Sequence, residues 1–173
     1  HRTYEDGERL VTTPPYTAYL KIAEGCSNGC AFCIIPRLRG RYRSRSMEAL
    51  LAEAKKLAGS GVKELIVIAQ DITRYGLDLP EPITLTHLLR ELCKLDFHWI
   101  RLHYLYPEAI TDELIDFIAG EPKVLHYLDI PIQHCNDGIL KAMRRRNTRA
   151  ELEALFVKLR AAMPDVVIRT SLI

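Results

Sequence analysis

Three cysteines that lie close together form the densest chemical signal in the sequence. Cys26, Cys30 and Cys33 stand in a C-x3-C-x2-C arrangement within residues 24–33. Soft thiolates at this spacing can wrap one face of a small iron–sulfur cubane and leave one of its irons without a protein ligand. Gly25 and Gly29 give the backbone the freedom that such a tight wrap requires. The spacing therefore predicts an iron–sulfur cluster bound by these three cysteines.

A zinc site is the main alternative for the same cysteines, and three buried thiols are another. Zinc usually takes four ligands, and no further C-x2-C or H-x3-H pattern accompanies the loop. The two other cysteines are interpreted as ordinary core and loop thiols, because Cys93 lies on the apolar stripe of a predicted helix and Cys135 follows a predicted strand. A zinc-binding module without redox activity stays open beside the cluster.

The elements that must position this loop alternate between strand and helix. Apolar patterns predict strands over residues 18–22, 65–69, 99–104, 124–130 and 166–173. Helices are predicted to begin after the capping residues Ser46, Thr84, Thr111 and Thr148, the last within the capping box Thr148-Arg149-Ala150-Glu151. Strands separated by helices predict an α/β fold: a partial (β/α) barrel of parallel strands with outer helices, truncated after about five strands.

Polar residues follow the predicted strands where chemistry is expected in such a fold. Catalytic groups of (β/α) barrels sit at the C-terminal ends of the strands. The cysteine loop follows the first strand, Gln70 the second and Gln133 the fourth. We therefore expect both glutamines to face a cavity beside the cysteines. Ordinary strand-end amides bonded to nearby backbone are the alternative.

Composition and charge indicate the class of protein. Nearly half of the 173 residues are apolar, and the net charge of +2 is too small to argue for binding to nucleic acid or a membrane. No apolar run approaches the roughly 20 residues of a membrane span. Five cysteines, three of them clustered, favour metal binding in a reducing compartment over a disulfide framework, and we therefore predict a cytoplasmic protein.

The cysteine loop, with the aromatic Phe32 directly before Cys33, resembles the signature of radical S-adenosylmethionine (SAM) enzymes. The resemblance implies a [4Fe–4S] cluster whose open iron chelates the amino and carboxylate groups of SAM. It also implies one-electron cleavage of SAM to a 5′-deoxyadenosyl radical, which abstracts a hydrogen atom from the substrate. Phe32 is expected to lie against the adenine, Gln70 and Gln133 to bind the amino group or ribose, and Arg145 the carboxylate. A solvated helix end is the alternative for Arg145.

Further segments resemble the methylthiotransferase branch of this family, namely Ala23-Glu24-Gly25-Cys26, Ile34-Ile35-Pro36, Arg39-Gly40 and Ser44-Arg45. One member of that branch modifies a tRNA adenosine, and another modifies the β-carbon of an aspartate in the small-subunit ribosomal protein uS12. The second is more similar in two segments, Val67-Ile68-Ala69-Gln70-Asp71 and Arg101-Leu102-His103-Tyr104-Leu105-Tyr106-Pro107. The resemblance therefore implies the ribosomal-protein enzyme, with the tRNA enzyme as the alternative.

The resemblance covers residues 13–173 and sets the expected domain organisation. Residues 1–15 are interpreted as a linker from a missing N-terminal domain, and residues 16–173 as a C-terminally truncated radical SAM core. The family carries a second [4Fe–4S] cluster in that N-terminal domain and a β-rich substrate-binding module at its C-terminal end. We therefore expect this chain alone not to complete methylthiolation. The resemblance also implies an electron donor such as flavodoxin.

A basic stretch follows the cysteine loop and consists of Arg37, Arg39, Arg41, Arg43 and Arg45. Such a stretch suits RNA phosphates, an acidic protein or solvent. Only Tyr42 is an aromatic residue within it, whereas single-stranded RNA is usually bound by several stacking aromatics. Contact with RNA is therefore not favoured over contact with protein or solvent.

Overall fold

The computed structural model of the chain describes residues 12–173, in which strands and helices alternate as predicted. The strands are β1 (Thr17–Lys21), β2 (Ala23–Glu24), β3 (Arg43–Ser44), β4 (Glu64–Ile68), β5 (Trp99–Leu102), β6 (Val124–Asp129) and β7 (Val167–Arg169). The helices are α1 (Ile35–Arg39), α2 (Met47–Gly59), α3 (Leu85–Cys93), α4 (Asp112–Gly120), α5 (Asp137–Ala142) and α6 (Arg149–Ala162). Most of the predicted 1–15 linker lies outside the described residues.

Five strands form one parallel sheet in the order β1-β4-β5-β6-β7. Each strand therefore pairs with the next long strand in the chain, and Leu20, for example, pairs with Val67. Because all pairs are parallel, the carboxyl ends of the strands meet at one edge of the sheet. Within residues 12–173 the sheet is open, with β1 and β7 at its edges. The predicted α/β class with about five parallel strands is confirmed.

The helices pack against one face of the sheet. Leu20, Leu65, Ile100 and Leu128 point to that face and are fully buried. Neighbouring helices contact one another in the order α2, α3, α4 and α6, as in a single layer. The residues that alternate with them are less buried, and Tyr19 remains 39% exposed. Ile66 of β4 is nevertheless buried on that second face, and the end of β4 borders the cavity described below.

Side-chain caps begin the helices where the sequence placed them. The Ser46 hydroxyl accepts a hydrogen bond from the backbone N–H of Ala49 at 3.2 Å. At the start of α6 the Glu151 carboxylate accepts from the backbone N–H of Thr148 at 2.7 Å, which completes the predicted capping box.

No helix in the described part of the chain is long and apolar enough to span a membrane.

Sequence patterns missed the short elements around the cysteine loop. Strands β2 and β3 pair antiparallel and bracket the loop, and α1 lies between them. Two-residue strands are too short to show an alternating pattern, so no signal was available. The predicted third strand also ends earlier than expected, at Leu102, because Tyr104 adopts a left-handed backbone with φ of 66°.

The loop after β4 contains a glycine at a position where the surrounding atoms leave no room for a side chain. Gly76 has φ of +83°, and an added Cβ would lie 2.5 Å from the backbone oxygen of Ile83. We predict that Gly76→Ala destabilises the chain by about 1–3 kcal/mol, through backbone strain and this clash. Urea denaturation measures the effect. Gly120→Ala is the control, because the helical Gly120 has nothing within 4 Å of the added atom. Equal denaturation midpoints for the two variants would contradict the prediction.

Candidate functional site

A cavity of about 400 Å³ opens where the carboxyl ends of β1, β4, β5 and β6 meet. This volume lies within the usual range for small-molecule sites, about 300–1,000 Å³. The structure brings every predicted site residue into its wall: Cys26, Cys30, Phe32, Cys33, Gln70, Gln133 and Arg145. The predicted site residues thus share one cavity at the strand ends, and the role of each residue stays a prediction.

The backbone of the cysteine loop is closely packed at Gly25 and has free space around Gly29. Gly25 has φ of +77°, and a Cβ there would lie 2.3 Å from the backbone oxygen of Arg41, so that only glycine fits. The backbone N–H of Cys26 donates to the oxygen of Gly40 at 3.2 Å. Gly29 also has a positive φ of +69°, but an added Cβ would meet nothing within 4 Å. The close contact at Gly25 fixes where the loop starts.

The three cysteines are free, partly buried thiols that share the cavity. Burial raises the pKa of Cys26, and the nearby Asp71 carboxylate and the other two sulfurs add to the effect. A bound cation would act in the opposite direction, because it stabilises thiolates. No three His, Cys, Asp or Glu side chains in residues 12–173 converge on one metal ion. The iron–sulfur cluster at these three cysteines therefore stays a prediction.

Asp71 anchors the loop to the end of β4. Its side chain is fully buried, and its Oδ2 accepts a hydrogen bond from Asn28 Nδ2 at 2.8 Å. Oδ1 accepts from the backbone N–H of Thr73 at 3.1 Å, and Arg74 Nε lies 3.3 Å from Oδ2. The Tyr42 hydroxyl donates to the backbone oxygen of Asp71 at 2.8 Å. These contacts fix the middle of the cysteine loop relative to the sheet.

Arg145 is buried rather than solvated. The residue is only 7% exposed, lies beyond the end of α5, and donates from its Nη2 to the backbone oxygen of Pro131 at 2.7 Å. The solvated helix end considered as the alternative is therefore wrong. Arg145 Nε and Gln70 Oε1 are buried without a hydrogen-bond partner. Unpartnered polar atoms are costly, so their presence on two cavity residues fits a polar ligand such as SAM.

Unusual backbone conformations cluster at the same cavity. In the described residues, Tyr104, Gln133 and Arg144 are the non-glycine residues with positive φ, at 66°, 70° and 57°. Tyr104 and Gln133 line the cavity, and Arg144 directly precedes Arg145. Each such conformation costs of the order of 1–3 kcal/mol and persists where neighbouring contacts enforce it. This clustering is typical of a functional site.

Sequence reasoning missed the contact that Tyr106 makes with the cysteines. The Tyr106 hydroxyl lies 2.9 Å from the sulfur of Cys30, and the Arg145 guanidinium lies over its ring, 3.9 Å from the ring centre. Burial raises the pKa of Tyr106, and the hydrogen bond with Cys30 adds to the effect. The position of Tyr106 after β5 was the one available signal. Its partner could not be predicted, because the cysteine lies far away in the sequence.

The basic stretch divides into structural and exposed parts. Arg45 Nη1 donates to Glu53 at 2.7 Å and to the backbone oxygen of Lys21 at 3.0 Å, so this arginine ties the stretch to α2 and β1. Arg37 and Arg41 are exposed. That protein or solvent, rather than RNA, contacts those exposed residues stays a prediction.

Comparison with known proteins agrees with this geometry. Residues 20–173 match the radical SAM superfamily. A protein from Caldanaerobacter subterraneus subsp. tengcongensis named ribosomal protein uS12 methylthiotransferase RimO is 56% identical over 164 residues, which cover 94% of this chain and 37% of the relative. The protein of the same name from Geobacter sulfurreducens is 56% identical over 166 residues, covering 95% and 37%. The chain thus spans somewhat over a third of the length of these relatives.

Solved structures share the fold at much lower sequence identity. The radical SAM methyltransferase TsrM from Kitasatospora setae, with cobalamin and a [4Fe–4S] cluster bound, is 18% identical with a TM-score of 0.69, covering 90% of this chain and 30% of that one. The cobalamin-dependent radical SAM enzyme OxsB is 15% identical with a TM-score of 0.68, covering 90% and 23%. The superfamily match extends over nearly all of the described residues, and the chain therefore belongs to the radical SAM superfamily.

Proposed function

We propose that the chain is the core of a methylthiotransferase that modifies an aspartate of ribosomal protein uS12. The observation that carries the proposal is its 56% identity, over 94% of its residues, to a relative named for this activity. The cavity supports it, because the three cysteines and the predicted SAM-binding residues all line this one cavity at the strand ends. Because the relatives are much longer than this chain, the complete activity and its substrate are proposed for a protein that includes further domains.

Cys26, Cys30 and Cys33 would hold a [4Fe–4S] cluster, and the remaining cavity would hold SAM. The chemistry supplied by the two bound groups is one-electron cleavage of SAM, followed by abstraction of a hydrogen atom from the β-carbon of the substrate aspartate. The protein supplies binding, orientation and exclusion of water. Ala69, Leu105 and Tyr106 are buried in the cavity wall and would serve that last purpose.

The remaining cavity residues would bind and orient SAM. Phe32 is 52% exposed at the cavity, so its ring is free to stack on the adenine. Gln70 offers an unpartnered Oε1 that can accept a hydrogen bond from an amino group or a hydroxyl. Arg145 offers an unpartnered Nε to a carboxylate. Gln133 faces the same space from the end of β6.

Other parts of the enzyme are proposed from the family resemblance. They are an N-terminal domain with a second [4Fe–4S] cluster, a β-rich C-terminal module, and an electron donor such as flavodoxin. We propose a cytoplasmic location, where such a reductant and ribosomal proteins are available. The exposed arginines of the basic stretch would contact protein or solvent rather than RNA.

The first prediction concerns the cluster. Cys26→Ala, Cys30→Ala and Cys33→Ala should each lose most of the iron that the unmodified chain binds after anaerobic reconstitution with iron and sulfide, because each removes one of three ligands. Iron and sulfide analysis with visible absorption gives the measurement. Cys135→Ala is the matched control, since this exposed cysteine lies outside the cavity. Unchanged iron content in all three variants, or a colourless chain that binds only zinc, would refute the cluster.

The second prediction concerns SAM. The reduced, cluster-loaded protein should release 5′-deoxyadenosine from SAM. Arg145→Met should weaken SAM binding by about 10–150-fold, because a charge-assisted bond contributes roughly 1.5–3 kcal/mol. Titration of SAM against the spectrum of the loaded protein measures the affinity. Arg149→Met is the control, because Arg149 is exposed and pairs with Glu153 away from the cavity. Equal affinities in the two variants would remove Arg145 from the site.

The third prediction separates the proposed substrate uS12 from the alternative, a tRNA adenosine. A form of the protein that also carries the N-terminal and C-terminal domains should add a methylthio group to uS12, measured by mass spectrometry of the peptides. A uS12 variant with asparagine at the target aspartate should stay unmodified. Modification of tRNA adenosine but not of uS12 would show that the enzyme is the tRNA member of the branch.

A further inference from the structure

Tyr106 makes a polar contact with one of the three cysteine sulfurs. Its hydroxyl lies 2.9 Å from Cys30 Sγ, although the two residues are 76 positions apart in the sequence. The tyrosine is only 7% exposed, so little water competes for its hydroxyl. The contact is partly buried in the cavity wall, where a hydrogen bond is electrostatically stronger than in bulk water.

Contacts to the ring face of Tyr106 and to the neighbouring backbone hold this residue in place. The Arg145 guanidinium lies 3.9 Å from the ring centre, and Arg145 is itself held by its hydrogen bond to the oxygen of Pro131. The residue before Tyr106 donates its backbone N–H to the oxygen of Asp129 at 2.9 Å, and a 3₁₀ turn begins directly after it at Pro107. The hydroxyl is thus placed by contacts that do not involve the cysteine.

A cysteine that binds iron has lost its proton, so its sulfur can only accept hydrogen bonds. The phenol of Tyr106 keeps its proton at neutral pH and must then be the donor. Hydrogen bonds to cysteine sulfurs are among the factors that set the reduction potential of a cluster. Such a bond withdraws negative charge from the sulfur. It therefore stabilises the reduced cluster, which carries one more electron, more than the oxidised cluster.

We propose that Tyr106 is a positioning residue that donates a hydrogen bond to the Cys30 sulfur and thereby raises the reduction potential of the cluster. This inference rests on the cluster assigned under the proposed function. A higher potential makes the cluster easier to reduce by a given electron donor. Tyr106 thus acts through Cys30 and needs no contact with the substrate.

The test compares two variants that each lose one buried hydroxyl. Tyr106→Phe removes the donor to sulfur, whereas Tyr75→Phe removes a hydroxyl that donates to the backbone oxygen of Arg45 at 3.0 Å. The reconstituted chain is titrated with dithionite, and the reduced cluster is followed by electron paramagnetic resonance. We expect a more negative potential for Tyr106→Phe than for the unmodified chain, and no shift for Tyr75→Phe. An unchanged or more positive potential in Tyr106→Phe would overturn the proposal.

A second substitution works in the opposite direction and keeps the size of the ring. Tyr106→3-fluorotyrosine makes the phenol a stronger donor, so the potential should become more positive, while 3-fluorotyrosine at position 75 should leave it unchanged. If Tyr106→Phe fails to fold, the 3-fluorotyrosine variant at position 106 tests the proposal by itself. An unshifted potential in that variant then refutes the hydrogen bond. Iron content is measured separately in every sample. Absence of a cluster from the unmodified chain would count against the proposed function, whereas an unshifted potential in loaded protein counts against Tyr106 alone.

Discussion

The arrangement of the site depends on one buried carboxylate. Asp71, at the end of β4, accepts hydrogen bonds from Asn28 in the cysteine loop and from Thr73 in its own turn. A buried carboxylate is costly unless its oxygens are paired, and these donors together with Arg74 satisfy it. Since the donors come from both segments, the carboxylate joins the cysteine loop to the sheet. The cysteines consequently occupy a defined place relative to the strand ends.

The parallel sheet explains why the functional groups meet. All five strands end at one edge, so loops from distant parts of the sequence approach the same cavity. The helices cover one face only, and polar pairs occupy the other, such as Glu64 with Arg101 at 2.7 Å and Asp129 with Arg169 at 2.9 Å. Because these charged side chains form ion pairs, the face that the helices leave uncovered can carry them next to the cavity without unpaired charges.

The cavity combines unpaired polar atoms and strained backbone with firm support around them. Gln70 Oε1 and Arg145 Nε lack partners, and Tyr104 and Gln133 hold left-handed conformations. Contacts with neighbouring loops support these conformations, as when the backbone oxygen of Tyr104 accepts from the N–H of Ile72, in the turn after β4, at 3.1 Å. Binding of a polar ligand would satisfy the open groups. The rest of the fold thus offsets the free-energy cost of these unpaired groups and strained conformations in the cavity.

The sequence by itself determined the features that depend on local pattern. Apolar periodicity and capping residues such as Ser46 and Thr148 placed the main strands and helices, and the spacing of Cys26, Cys30 and Cys33 singled out the loop for which we propose a cluster. The strand-end rule then located the cavity. These signals are readable because they act between residues a few positions apart.

Only the tertiary structure decided which distant side chains touch. Asn28 meets Asp71 across 43 positions and Cys30 meets Tyr106 across 76, and neither pair leaves a periodic trace in the sequence. The burial of Arg145 likewise follows from its place against Pro131 and Tyr106, not from the run of arginines around it. Such contacts are set by how the strands stack side by side, and a side chain's partner across the sheet is therefore fixed only when the whole chain has folded.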